Sequence, residues 1–103
     1  ALGLLLPGSA SHPKVDDKNQ ITEAKKADCA ATVDLCLSML ANKLTPKQIL
    51  TKKAFHNAVA VIYAVGGSTN AVLHLLAIAH EAGLSEEDFC IHDFDSIGGK
   101  VPL

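Results

Sequence analysis

The chain has 103 residues, 49% of them hydrophobic but only 4% aromatic, and a formal net charge of -2. A core without Trp, built mainly from Ala, Leu, Val and Ile, favours packed helices over a sandwich of strands. Nine scattered Lys and Arg exclude the clustered cations of a nucleic-acid footprint, and no run reaches the roughly 18 apolar residues of a membrane span.

The chain opens inside an apolar run, Ala1-Leu2-Gly3-Leu4-Leu5-Leu6, with no initiating Met and no basic segment of a secretory signal. It therefore reads as an internal stretch of a longer soluble protein. Pro7-Gly8-Ser9 breaks the run as a turn, and the polar stretch from Ser9 to Gln20 reads as a surface loop. Thr22 can cap a helix reaching about Asn42. Lys25, Asp28 and Thr32 would form its wet stripe, and Leu35 and Met39 would face a core.

Thr45-Pro46-Lys47-Gln48 is a strong helix start, with Thr45 as cap, Pro46 in the first helical position and Gln48 completing a capping box. A short helix over Pro46 to Leu50 follows. Thr51 caps the next, from Lys52 to about Val65, where Phe55, Val59, Ile62 and Val65 recur at helical spacing. Gly66-Gly67 ends it, and Ser68 can cap a helix from Thr69 to Ala82 that is apolar almost all round. Such a helix is expected to be the most buried element. Gly83 closes it, Ser85-Glu86-Glu87-Asp88 resembles another capping box, and Asp93 to Ile97 forms a last short helix before Gly98-Gly99. Val101-Pro102-Leu103 looks extended. The sum is a mainly α chain of four or five helices.

The residues offer few sites. Glycines permit a sharp turn and close backbone approach, and a helix start leaves N–H groups free. Gly66 through Asn70 could thus hold a carboxylate or phosphate. A glycine-ended helix followed by a serine-capped one accounts for the same string. His74 and His80 lie six apart on different faces of one helix and cannot share an ion. His74 reads as a hydrogen-bonded core histidine, and His12 and His56 as exposed. Cys29 and Cys36 share a helix face but sit about 10 Å apart along the axis, and together with Cys90 they read as buried, inert thiols in a reducing compartment.

Gly66-Gly67-Ser68-Thr69-Asn70 runs into Ala71-Val72-Leu73-His74-Leu75-Leu76-Ala77-Ile78-Ala79-His80. With the opening from Ala1 to Ser9, the segment from Ile49 to Ala58, the acidic Asp93-Phe94-Asp95 and the closing Val101-Pro102-Leu103, this run resembles the dihydroxy-acid/6-phosphogluconate dehydratase family. Leu5 departs from the small polar residue of that opening. The resemblance implies that residues 1–103 are part of an α/β N-terminal dehydratase domain, truncated at both ends. It implies a hydro-lyase turning 2,3-dihydroxy carboxylates into 2-keto acids in valine, isoleucine and pantothenate synthesis. The wording from Ala71 to Ala77 is closer to the branched-chain enzyme than to its sugar-acid relatives. The resemblance also implies an iron–sulfur cluster that acts as Lewis acid on the leaving hydroxyl, and a Mg2+ ion that helps hold the substrate. The Cys-Asp-Lys and Gly-Ala-Cys-Gly-Gly motifs that carry the cluster in the family do not occur here, so no metal ligand is assigned to this chain and no catalytic base is identified. The expected site-lining candidates are Gly66, Gly67, Ser68, Thr69 and Asn70, with Pro7, Gly8 and Ser9. A homodimer in the cytoplasm, or in an organelle of a eukaryote, with no nucleic-acid or membrane partner, completes the expectation. The competing class is a free-standing helical module that binds an anion at its Gly66–Asn70 helix start.

Overall fold

The structure, a computed structural model, describes residues 1–102. It contains a 3-10 turn at Ser9–Ser11 and five helices: α1 Glu23–Ala41, α2 Pro46–Ile49, α3 Lys52–Val65, α4 Asn70–Glu81 and α5 Ile91–Gly98. Among the described residues there is no strand, only an isolated bridge between Val15 and Ile21. The mainly helical expectation holds.

Two compact units divide the chain. One joins Ala1–Leu4 to the stretch beginning at Pro46, and the other is Leu5–Thr45. In the first, α3 packs on both α4 and α5, and α4 also meets α5. The sequence sets this arrangement through helical spacing. On α3, Phe55, Ala58 and Val59 are buried with Ile62 and Tyr63 beside them, a stripe of three- and four-residue steps. On α4 the stripe is Val72, Leu75, Leu76, Ala79 and Ala82, and on α5 it is Phe94 and Ile97. Phe89, between α4 and α5, fills the space between the stripes. Its ring centroid lies 5.1 Å from that of Phe55 and 5.6 Å from that of Phe94, both tilted.

Local caps decide where these helices begin. Thr51 Oγ1 accepts the Ala54 N–H at 3.3 Å and starts α3. Pro46, in the first position of α2, has no N–H to leave unpaired. Two expectations shift here. The Ser85–Asp88 box does form, the Ser85 N–H donating to Asp88 Oδ2 at 3.2 Å and the Asp88 N–H to Ser85 Oγ at 3.3 Å, but it closes a turn and no helix follows at once. The last helix starts earlier than expected, at Ile91, because the Cys90 N–H donates to Asp93 Oδ2 at 2.7 Å and seats the first turn. The extended reading of residues 101–103 ends in Leu103, which lies outside the described residues.

Burial corrects the reading further. The helix expected to be most buried, α4, buries only Leu75 and Ala79, while Leu73 is 70% exposed and Ile78 37%. Such a helix needs neighbours on every side, and within this unit α3 and α5 supply them on one. The central element is α3, with Phe55 and Val59 fully enclosed.

In the second unit, Thr22 caps α1 as expected, its Oγ1 accepting the Lys25 N–H at 3.2 Å. The faces of α1 follow the expected ones only in part: Thr32 is exposed as expected. Leu35 is exposed, Met39 is only half-buried and no residue of α1 is buried. Lys25 and Asp28, expected to be wet, are the half-covered positions, because they bond to the loop between Ser9 and Gln20. The thiols are not buried either. Cys29 and Cys36 are exposed on α1, and Cys90 is intermediate.

Candidate functional site

The Gly66–Asn70 turn lies in the first unit, between α3 and α4. Gly66 takes a left-handed φ of 66° and terminates α3. The Gly67 N–H then reaches back to the Ile62 carbonyl at 2.8 Å. A Cβ on Gly67 would sit 3.1 Å from Ile62 Cγ2, so this glycine lets the chain fold closely over α3. Both glycines are therefore accounted for by the turn itself, and the room expected at Gly67 for a ligand is occupied by Ile62.

The donors at the start of α4 differ from the expected set. Ser68 does act as a cap, but one position early. Its Oγ accepts the Asn70 N–H at 3.2 Å, and its carbonyl accepts the Ala71 N–H at 3.1 Å. The Val72 N–H goes to the Thr69 carbonyl at 3.0 Å. The first-turn amides expected to be free are thus consumed in tight local bonds. Among the described residues, no hydrogen bond reaches the amides of Ser68 and Thr69. These two N–H groups, with the exposed side chains of Thr69 and Asn70, are the donors the turn presents.

Gly8 and Ser9 belong to the second unit. Gly8 has a φ of 80° and precedes the 3-10 turn. The turn is tied to α1 by the Lys25 ammonium, which donates to the Ser9 carbonyl at 2.7 Å. The His12 Nδ1–H donates to Asp28 Oδ2 at 2.6 Å, and His12, expected to be exposed, is half-buried. This hydrogen bond holds the Asp28 carboxyl below the ordinary aspartate range. Partial burial opposes the shift, and the charges of His12 and Lys25 add to it. Asp88 is lowered as well, first by the Ser85 backbone N–H and then by the Ser85 hydroxyl, with the Lys52 charge assisting against partial burial. Groups shifted this way add stability above the ordinary aspartate value and lose it as pH falls through their lowered folded values. A carboxyl-carbon NMR titration should therefore give both Asp28 and Asp88 midpoints below that of an unpaired aspartate. A midpoint at or above it would contradict these contacts.

The remaining histidines also depart from expectation. His74 is exposed on α4 and has no core role. His56, expected to be exposed, is half-buried beside Phe89, and its Nε2 lies 3.6 Å from Asp93 Oδ1. An open cleft of about 780 Å³ between the end of α4 and the start of α5 was not foreseen; Leu76, Phe89 and Ile91 line it, with His80 and His92. It lies at the opposite end of α4 from the Gly66–Asn70 turn.

A cluster of the kind the resemblance implies needs several thiolates converging on one point. Cys29 and Cys36 are seven residues apart on one helix, and Cys90 belongs to the other unit. Among the described residues no group of three or more His, Cys, Asp or Glu is placed to hold a metal ion. The donors present do not fit such a cluster. No helix among the described residues is long and apolar enough to cross a membrane.

The family model described as dihydroxy-acid/6-phosphogluconate dehydratase N-terminal matches residues 1–103. The dihydroxy-acid dehydratase of Oceanobacillus iheyensis is 48% identical over 102 residues, which is 99% of this chain and 17% of that protein. The enzyme of the same name from Tropheryma whipplei (strain Twist) is 50% identical over 102 residues, covering 99% of this chain and 16% of its own length. That of Methylococcus capsulatus is 47% identical over 103 residues, all of this chain and 17% of the relative. The chain spans about one sixth of the length of the curated relatives it matches. No solved structure matches it. With a family model matched from end to end and near-half identity to several dehydratases, the chain belongs to the dihydroxy-acid/6-phosphogluconate dehydratase family.

Proposed function

We propose that this chain is part of a hydro-lyase that converts 2,3-dihydroxy carboxylates into 2-keto acids in branched-chain amino-acid biosynthesis. The observation that carries this reading is the near-half identity to proteins named dihydroxy-acid dehydratase, which runs through the Gly66–Asn70 turn and α4. The wording of Ala71 to Ala77 supports the branched-chain substrate over a sugar acid.

In this reading the turn before α4 grips the anionic end of the substrate. The unpaired amides of Ser68 and Thr69 donate to the carboxylate, and the positive end of α4 favours the negative charge. Gly66 and Gly67 hold those amides outward by closing α3. The iron–sulfur cluster and Mg2+ of the parent enzyme draw their ligands from residues outside this chain. The 103-residue chain alone is accordingly expected to have no dehydratase activity. The parent works as a homodimer in the cytoplasm, or in an organelle of a eukaryotic cell.

The test separates the Thr69 amide from its side chain. Thr69 has a φ of -61°, which proline adopts without strain. In the full-length protein, Thr69→Pro deletes the N–H, while Thr69→Ala keeps it. If the amide binds the substrate, kcat/KM per folded, cofactor-loaded protein should fall at least about tenfold further in Thr69→Pro than in Thr69→Ala, or roughly 1.4 kcal/mol. Equal activities beside equal melting curves would leave the turn as a joint between two helices.

A further inference from the structure

The second unit, Leu5–Thr45, has no core of its own. Among the described residues every buried side chain belongs to the first unit, from Leu50 to Phe94. The one long element of the second unit is α1, and none of its 19 residues is buried. Most of the stability of such a helix comes from packing an apolar face, not from propensity. Local contacts hold only its first turns. Thr22 caps it, Lys26 pairs with Glu23 at 3.1 Å, and Lys25 and Asp28 bond to the loop between Ser9 and Gln20.

From Cys29 to Ala41 the helix carries one charge, Asp34. Cys29, Val33, Leu37 and Leu40, with Cys36 beside them, recur at steps of three and four residues. At 3.6 residues per turn these five lie within about 100° of the helix circumference, the width of a stripe that faces a core. Yet all five are exposed, Val33 by 58%, Leu37 by 60% and Leu40 by 76%. Contiguous apolar surface of this kind marks a contact face.

The comparison with the relatives says what covers it. The match runs through α1, and those proteins are about six times as long as this chain, so about five sixths of each lies outside the matched residues. An apolar stripe suits permanent packing better than an interface that forms and separates. A segment of the same polypeptide also meets α1 at the high effective concentration of an intramolecular contact. We infer that the Cys29–Leu40 stripe of α1 is an internal packing face of the full-length protein, covered by apolar side chains of the same polypeptide from outside residues 1–103. This rests on the family and its length, and not on the reaction proposed above.

The test uses the full-length protein without substitutions, since two residues of the stripe are thiols. Modification of Cys29 and Cys36 by N-ethylmaleimide is followed by peptide-resolved mass spectrometry, in native buffer and in urea. Both thiols should react at least about a hundredfold more slowly in the native protein, because they are reached only when α1 opens. The occupant is then identified with a diazirine analogue of leucine, close to leucine in size, incorporated during expression and activated by light. Links from Leu37 and Leu40 should appear in the denaturing-gel band of single-chain mass and end in segments outside residues 1–103. Thiols that react in the native protein within a few-fold of their rate in urea would show the stripe open to water and overturn the inference. Links confined to the band of doubled mass would make a second copy the cover, and links ending only within Pro46–Leu103 would make it the first unit; either result overturns the assignment.

Discussion

Phe55→Ala is expected to remove about 3–5 kcal/mol from the unfolding free energy. Phe55 is fully enclosed, and its ring stacks at a tilt on Phe89, which in turn meets Phe94. These three are the only phenylalanines in the chain, so the aromatic part of the core is a single contiguous cluster. Truncation at Phe55 loses the transfer free energy of the ring and leaves a cavity that the small Ala58 and the branched Val59 cannot collapse into. A domain of this size holds a total stability of only about 5–15 kcal/mol. The substitution should therefore bring the chain close to unfolding at room temperature. Urea unfolding of the parent and the variant measures it, and a loss below about 1 kcal/mol would mean that α3 is not the centre of the unit.

Gly98→Ala should have the next largest effect, and its sign decides between two opposed terms. Gly98 is the last residue of α5, where Ala gains less over Gly than the roughly 1 kcal/mol of a helix interior. Against this, a Cβ on Gly98 would overlap the Tyr63 ring, falling 2.5 Å from Cε1 and 2.8 Å from Cε2 and onto Cζ. Tyr63 is half-buried beside the core, so its ring is hemmed in by the packing of α5 on α3. Overpacking of this kind costs about 1–3 kcal/mol, and the clash should win. The control is Tyr63→Leu. With the ring removed, Gly98→Ala should become neutral or slightly stabilising, giving a coupling between the two sites of about 0.5–3 kcal/mol. A Gly98→Ala variant as stable as the parent in the Tyr63 background would show that α5 sits elsewhere on α3.

These two residues mark what was legible in the sequence. Phe55 stood out because it starts a run of apolar residues at helical spacing, and local caps such as Thr22 and Thr51 fixed where helices begin. Gly98 read only as a helix stop, because the reason for a glycine there is a ring on another helix, 35 positions away in the sequence. The same limit explains why Lys25 and Asp28 on α1 are more covered than expected. Polar Lys25 and Asp28 looked solvent-facing by composition, yet their partners, Ser9 and His12, lie 16 residues upstream and no local pattern pairs them. The overall burial of α4 was misjudged for a related reason. Its composition calls for neighbours on all sides, but composition does not say whether this stretch of chain supplies them. At the candidate site the position of the turn was legible from Gly66-Gly67-Ser68, while the free donors were not. The capping role of Ser68 comes one residue early, uses up the amides from Asn70 to Val72 and leaves those of Ser68 and Thr69.

The functional account is tested most directly on the full-length protein that carries this segment, purified with its cofactors in place. It should be offered two substrates, a branched 2,3-dihydroxy carboxylate and 6-phosphogluconate, with 2-keto acid release followed for each. The account predicts stoichiometric keto acid from the branched substrate, with kcat/KM at least about tenfold above that for 6-phosphogluconate. No keto acid from either substrate, or a preference for 6-phosphogluconate, would contradict it.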